Sequence, residues 1–280
     1  MKPFYLMLCL LWLVCQPAQA QVCPATIRFA DTGIEGTEEL QRAYQLFVER
    51  LQQLTGLKVQ FFPVGNRSTA VNALRFKQVD IVLAGPTEYI LMQQRMPGIA
   101  PIAAIIRPEY SSVFIVPADS HLYSLTDLKG KHVAMKDHGS TTGHIMPSYM
   151  LHQAGLDLDR DLRISLIDGA RMVALANGEV DAVGTGIRDF APFVAQQTKA
   201  YRIIAQGDNM PGDPIIAGAH LPKDCVSLLR QVFMDNADSL LQAILDPGAR
   251  DKYQTAQLKL VDDADYQQVR DAMRLLKILR

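Results

Sequence analysis

The stretch Asp137 to His144, DHGSTTGH, carries the densest set of chemically useful groups in the chain. Ser140, Thr141 and Thr142 set three hydroxyls and three consecutive amides side by side, and Gly139 permits a tight turn ahead of them. A helix starting there leaves its first N–H groups without intrahelical partners, and its dipole favours negative charge at the same place. Such a terminus binds small anions. Simple N-capping uses the same residue types, so the run reads equally as a cap and as an oxyanion site. His144, four residues after Ser140, either faces the same pocket or solvates the first turn.

Two further turns have related chemistry. Gly85 to Tyr89, GPTEY, places Pro86 at a first helical position, with the Thr87 hydroxyl and the Tyr89 phenol as donors. Asn66 to Thr69, NRST, adds the guanidinium of Arg67. Other chemistry is weak. The six histidines, at 121, 132, 138, 144, 152 and 220, lack zinc-site spacing, and no metal or cofactor is expected. There is no GxSxG elbow, and the GTG at 184–186 lacks the third glycine of a dinucleotide loop. The enzymatic alternative is an exported hydrolase using Ser140 with His144 for acyl or phosphoryl transfer. A binding site without catalysis is the preferred reading.

These turns need rigid elements behind them, and the hydrophobic pattern supplies an α/β frame. Short apolar runs predict strands at 26–30, 58–62, 79–84 and 99–106. Between them, helical periodicity covers 38–54, 68–76 and 87–95. An extended run at 112–117 follows, and the alternation restarts with strands at 132–135, 162–167, 180–183 and 201–205. Helices are expected at 140–154, 170–176 and 190–197. A second extended crossing spans 211–221, and everything beyond Lys223 reads as helical. Each turn then sits at the carboxyl end of a strand, where open α/β sheets bind ligands. The expected division is lobe 1 at 21–114 plus 215–280, with lobe 2 at 115–214 inserted into it.

Residues 1–20 read as a cleaved signal peptide: a positive start at Lys2, an apolar stretch from Phe4 to Val14, and an AxA site at Ala18 to Ala20. Bulky Val14 argues against a lipid anchor on Cys15. The expected location is the periplasm. Cys23 and Cys225 remain after processing, and an exported chain favours their pairing over two buried thiols. Charge is balanced, with 28 Lys plus Arg against 29 Asp plus Glu, which excludes the basic footprint of a nucleic-acid binder. It also leaves a polybasic membrane surface unsupported.

Several segments together carry a family likeness. VDIVLAGPTEYIL, EYSSVFIVPADS, SLTDLKGKHVA, GSTTGHIMPSYMLHQAGLD, ALANGEVDAV and PGDPIIAGAHLP resemble the phosphonate, phosphite and phosphate binding proteins of ABC transporters, in consistent order from about Ile27 to Phe233. The resemblance implies a two-lobed type II periplasmic binding fold, each lobe a mostly parallel sheet flanked by helices, that closes on its ligand. It implies that Ser140, Thr141 and Thr142 hold the phosphorus oxygens, that Tyr110 contacts ligand at the crossing, and that Thr87 and Tyr89 line the cleft. The chain departs from the family at Asn66 and Arg67, where Asp and Tyr are frequent. It departs again at Asp168, Gly169, Ala170 and Arg171, where Gly, His and Glu are frequent. Loss of that Glu disfavours an aminoalkylphosphonate, while Arg67 and Arg171 point to a purely anionic ligand, with Arg67 expected on the anion. The expected protein is a monomer. Its partner is an ABC permease or, alternatively, the ectodomain of a membrane sensor kinase.

Overall fold

The computed structural model describes residues 22–32, 37–64, 67–245 and 251–279. The expected signal peptide and Asn66 lie outside them. Among the described residues there are two sheets. The strands are β1 (Thr26–Asp31), β2 (Lys58–Phe61), β3 (Ile81–Leu83), β4 (Ala100–Ile106), β5 (Ser112–Pro117), β6 (His132–Met135), β7 (Arg163–Leu166), β8 (Ala182–Gly186), β9 (Tyr201–Gln206), β10 (Asp213–Ala217) and β11 (Gln257–Lys259). The helices are α1 (Thr37–Thr55), α2 (Arg67–Arg75), α3 (Pro86–Arg95), α4 (Met146–Gln153), α5 (Arg171–Asn177), α6 (Phe190–Val194), α7 (Lys223–Asp235), α8 (Ala237–Leu245) and α9 (Gln267–Leu275).

The first sheet runs β11-β4-β10-β3-β1-β2 and the second β7-β6-β8-β5-β9, so the chain forms two α/β lobes. It leaves the first sheet after β4, enters the second at β5, and returns between β9 and β10. The crossings are therefore residues 107–111 and 207–212, a few residues ahead of the boundaries expected from sequence. Both sheets are mixed. β1, β2 and β3 pair in parallel, as do β6, β7 and β8, through helical crossovers. The strand that enters each sheet from a crossing, β10 or β5, runs antiparallel to both of its neighbours. The mostly parallel expectation thus holds only for the strands that helices connect. A second correction concerns the carboxyl-terminal region, read as wholly helical: β11 pairs antiparallel with β4 there. Three residues with only Leu258 buried are too short to announce a strand by their own pattern.

Alternation along the strands sorts side chains onto two faces. Ile27, Phe29, Ile81, Leu83, Ile105 and Ile215 face one core beneath α1, α7 and α8, whereas Ala30, Val82, Ala104 and Ile216 face the other beneath α2, α3 and α9. In the second lobe, Phe114, Val133 and Met135 point one way and Val113, Ala134 and Val183 the other. Phe29, Tyr44 and Phe47 pack with ring centroids 5.0–6.1 Å apart behind β1. Cys23 and Cys225, both buried, form a disulfide that joins the segment before β1 to α7. A cross-link between residues 202 apart restricts the unfolded chain, an effect typically of about 2–4 kcal/mol. Ile145 and Met146 of the second lobe complete the core under α9, so the lobes share apolar contact at their junction.

Candidate functional site

The Ser140 turn has an unusual backbone. The N–H groups of His144 and Ile145 both donate to the Ser140 carbonyl, at 3.0 and 2.9 Å, so the first turn, Thr141–Ile145, is widened to π form before α4 begins. Widened turns of this kind recur at functional sites. Gly139 holds φ of 88°, a left-handed conformation that any side chain there would strain. On the other lobe, Gly85 precedes Pro86, and its lack of a side chain leaves room for the Glu88 carboxylate. A Cβ at Gly85 would lie 2.5 Å from Glu88 Oε2 and 3.5 Å from Thr141 Oγ1.

These two turns face each other across a cavity of about 160 Å³. Lobe 1 contributes Asp31 and Thr32 from the end of β1, Arg67 from α2, and Ala84, Gly85 and Glu88 around the start of α3. The first crossing adds Arg107 and Tyr110, the start of β10 adds Asp213, the carboxyl-terminal region adds Lys252 and Tyr253, and lobe 2 adds Lys136, Ser140, Thr141 and Thr142. The lobes bond directly. Thr141 Oγ1 accepts the Thr87 N–H at 3.3 Å and shares a hydrogen bond with Thr87 Oγ1 at 2.9 Å. Arg188 of lobe 2 donates to the Lys252 carbonyl.

Two arginine and carboxylate clusters flank the cavity. In the first, Arg67 Nη1 donates to Glu88 Oε1, and Arg67 Nε donates to Asp137 Oδ2 across the cleft at 3.0 Å. Burial alone would depress this guanidinium, but the two carboxylates outweigh burial and hold its pKa above the usual value. In the second, Arg107 Nη2 donates to Asp213 Oδ1 at 2.8 Å, and its guanidinium lies 3.4 Å over the Tyr110 ring. The Tyr253 hydroxyl donates to Asp213 Oδ2 at 2.8 Å, and Lys252 Nζ lies 3.9 Å from the same oxygen. Burial pushes the Asp213 carboxyl up, yet Arg107, Lys252 and Tyr253 hold it below the ordinary carboxylate range. Burial, with the Asp213 charge behind it, raises the Tyr110 phenol.

Of the residues singled out from sequence, the structure brings Arg67, Tyr110, Ser140, Thr141 and Thr142 into the cavity lining, and sets Thr87 directly behind Thr141. Arg67 lines the cavity with its Nη1 and Nε engaged by carboxylates. Tyr89 is elsewhere. One helical step past Glu88 rotates it by about 100° into the core, where it meets Tyr266 edge-on at 4.8 Å and donates to Asp263 at 2.8 Å. Asp168 and Arg171 line a separate groove on lobe 2. Arg171 is buried and holds Thr185 at 3.1 Å, Asp189 at 2.6 Å and Asp168 at 3.5 Å, an internal network of that lobe.

His144 also lies outside the cavity lining. Its Nδ1 accepts the Gly139 N–H at 3.2 Å, bracing the turn instead of serving the Ser140 hydroxyl. Burial, then the nearby His138, push its pKa down to about 4 against the opposing Asp137. Among the described residues no group of His, Cys, Asp and Glu has the geometry of a metal site.

Sequence reasoning missed Asp31, Glu88, Arg107, Lys136, Asp213, Lys252 and Tyr253. Glu88 and Asp213 stood inside the quoted segments GPTEY and PGDP, and Arg107 just before EYSS. Lys252 and Tyr253 carry no local signal, because only the tertiary fold delivers them.

A hydroxyl-rich helix start opposite a second strand-to-helix turn, between two lobes joined by two crossings, is the arrangement of a solute-binding protein. The family model described as "ABC transporter, phosphonate, periplasmic substrate-binding protein" matches residues 32–266. The chain belongs to that family. Its members are substrate-binding components of transporters and not catalysts.

The phosphonates-binding periplasmic protein of Escherichia coli is 24% identical over 231 residues, covering 78% of this chain and 68% of that protein. The phosphate-import protein PhnD of Mycolicibacterium smegmatis is 28% identical over 182 residues, covering 60% of this chain and 57% of that protein. The structure of PhnD1 from Prochlorococcus marinus in complex with methylphosphonate superposes with a TM-score of 0.72 at 19% identity, over 91% of this chain and 99% of that one. The fold is thus the two-lobed type II periplasmic binding architecture.

Proposed function

We propose that this protein captures a small phosphorus oxyanion, a phosphonate, phosphite or phosphate, between its lobes and delivers it to the permease of an ABC transporter. The observation that carries this reading is the Ser140 to Thr142 turn, which lines a cavity closed from the other lobe by Gly85 and Glu88. The oxygens of the ligand accept from the turn's hydroxyls and leading amides, helped by the helix dipole. The cavity of about 160 Å³ suits an ion of few heavy atoms. Drug-sized ligands occupy clefts of roughly 300–1,000 Å³.

Charge in the cavity is nearly balanced. Arg67, Arg107, Lys136 and Lys252 face Asp31, Glu88 and Asp213, so capture rests on aimed donors and not on bulk positive potential. Contacts between Thr87 and Thr141, and between Arg67 and Asp137, form only when the lobes are together. A ligand touching both lobes therefore favours the closed state and closure proceeds by hinging at the crossings. The chain acts in the periplasm as a monomer after loss of residues 1–20, and its Cys23–Cys225 disulfide suits that oxidising compartment.

A thermal-shift panel tests the reading, using phosphate, phosphite, methylphosphonate, 2-aminoethylphosphonate, sulfate and small carboxylates. At a hundred times its Kd a true ligand stabilises the fold by about 2.7 kcal/mol. At least one phosphorus oxyanion is expected to raise the midpoint by several degrees, and size-exclusion chromatography to show a monomer. Unchanged midpoints with every phosphorus oxyanion at millimolar concentration would overturn the proposal.

A further inference from the structure

Glu88 is only 2% exposed and lines the cavity, yet only one of its carboxylate oxygens is satisfied. Oε1 accepts from Arg67, while Oε2 has no hydrogen-bond partner among the described residues. A buried, charged acceptor left without a donor is strongly unfavourable, so an empty lone pair aimed into a binding cavity marks a place where the ligand brings a proton. The neighbouring groups do not bring one. Arg67 is divided between Glu88 and Asp137, and Arg107 bonds Asp213 through Nη2 while its Nε, though unpartnered among the described residues, makes no hydrogen bond to Glu88. Of the remaining titratable groups around the cavity, Asp31 already accepts from Tyr44 at 2.6 Å, Lys136 lies at its lobe 2 wall, the Tyr110 phenol interacts with Thr141, and Lys252 and Tyr253 face Asp213.

We propose that Glu88 selects oxyanions that retain an acidic O–H: the ligand binds as its singly charged form and donates its remaining proton to Glu88 Oε2. This rests on the phosphorus-oxyanion reading and makes it narrower. The position of Oε2 favours an O–H of the oxyanion over an ammonium on a distant tail. Oε2 sits over Gly85, which also faces Thr141 Oγ1 in the turn proposed to receive the oxyanion head. A fully ionised head group would bring like charge against this carboxylate in a site of low dielectric. Phosphonates, phosphite and phosphate have a second ionisation near neutral pH and keep an O–H below it. Sulfate and methanesulfonate keep none. The same geometry therefore rejects sulfur oxyanions of similar shape by leaving Oε2 unpaired, a form of specificity that a buried polar group enforces well.

The test is titration calorimetry of the wild-type protein with methylphosphonate from pH 6 to pH 9, in buffers of different ionisation heat. Expected is a Kd that rises about tenfold per pH unit above the ligand's second ionisation, with uptake of about one proton per ligand bound at pH 9. At pH 6, sulfate and methanesulfonate should bind at least a hundredfold more weakly than methylphosphonate. Glu88→Gln, whose amide donates, should flatten the pH dependence and narrow the gap to sulfate at least tenfold. The proton-uptake measurement needs no variant, so it decides even if Glu88→Gln fails to fold. Methylphosphonate binding with a constant Kd and no proton uptake, or sulfate bound as tightly, overturns the role of Glu88 and leaves the phosphorus-oxyanion reading standing. Tight binding of 2-aminoethylphosphonate alone overturns it in favour of an ammonium donor. If no phosphorus oxyanion binds at any pH, that reading falls and the selection falls with it.

Discussion

The two arginine and carboxylate clusters beside the cavity contain the same residue types in opposite conditions. Asp213 has a donor on each oxygen, from Arg107 and Tyr253, so its carboxylate is saturated and only the Arg107 Nε donor of that cluster is left over among the described residues. The Arg67 cluster is open on its carboxylates: it reaches across the cleft to Asp137 and leaves Glu88 Oε2 and Asp137 Oδ1 unpartnered among the described residues. Residue identity and proximity to the cavity therefore do not assign a role. Hydrogen-bond bookkeeping does, because a saturated carboxylate has nothing left to offer a ligand, while an unsaturated one demands a donor. On the proposed reading, the cluster with the saturated carboxylate is the scaffold at the hinge and the open one is the reader.

Breaking the saturated cluster should have the largest effect. Asp213→Ala strands Arg107 as a buried, unpaired cation, and the expected loss of stability is about 3–5 kcal/mol, measured as a lower midpoint in urea denaturation. Full stability would mean that the pair is not structural. Gly85→Ala acts on the open side. The new methyl displaces the Glu88 carboxylate and should destabilise by about 1–3 kcal/mol with weakened ligand binding, read by thermal shift with and without ligand. Thr141→Ala removes the hydroxyl shared with Thr87 and costs about 1 kcal/mol, roughly a fivefold rise in Kd, with a much smaller effect on the fold of either lobe.

The smallest effect concerns His144, which braces the open turn. Its pKa in the folded chain, about 4, lies below the ordinary 6.5, so the unfolded chain binds more protons between those values. The associated stability is complete above about pH 6.5 and is lost as pH falls toward 4. His144→Gln should flatten that acid limb in a pH series of denaturation midpoints.

The same contrast explains what the sequence could reveal. Strands such as Ser112–Pro117 and His132–Met135 were legible because unbroken apolar runs fill both faces of a sheet. The Ser140 turn was legible because consecutive hydroxyls after a glycine are a local feature. The saturated cluster was not, since Arg107, Asp213 and Tyr253 lie on separate segments and meet only when both crossings form. Thr87 and Tyr89 stand out from sequence by residue type, whereas Glu88 is distinguished only by helical phase. At the start of α3 the phase points 88 into the cavity and 89 into the core. Asp168 and Arg171 were attractive for their charge, but neighbours on their own lobe absorb it.

The most direct test of the account is a crystal structure of the protein grown with methylphosphonate. The account predicts the phosphorus inside the cavity between the lobes, with ligand oxygens in hydrogen-bond reach of Ser140, Thr141 and Thr142, and one oxygen on Glu88 Oε2. Methylphosphonate found outside this cavity, or within it but clear of the Ser140 turn, would contradict it.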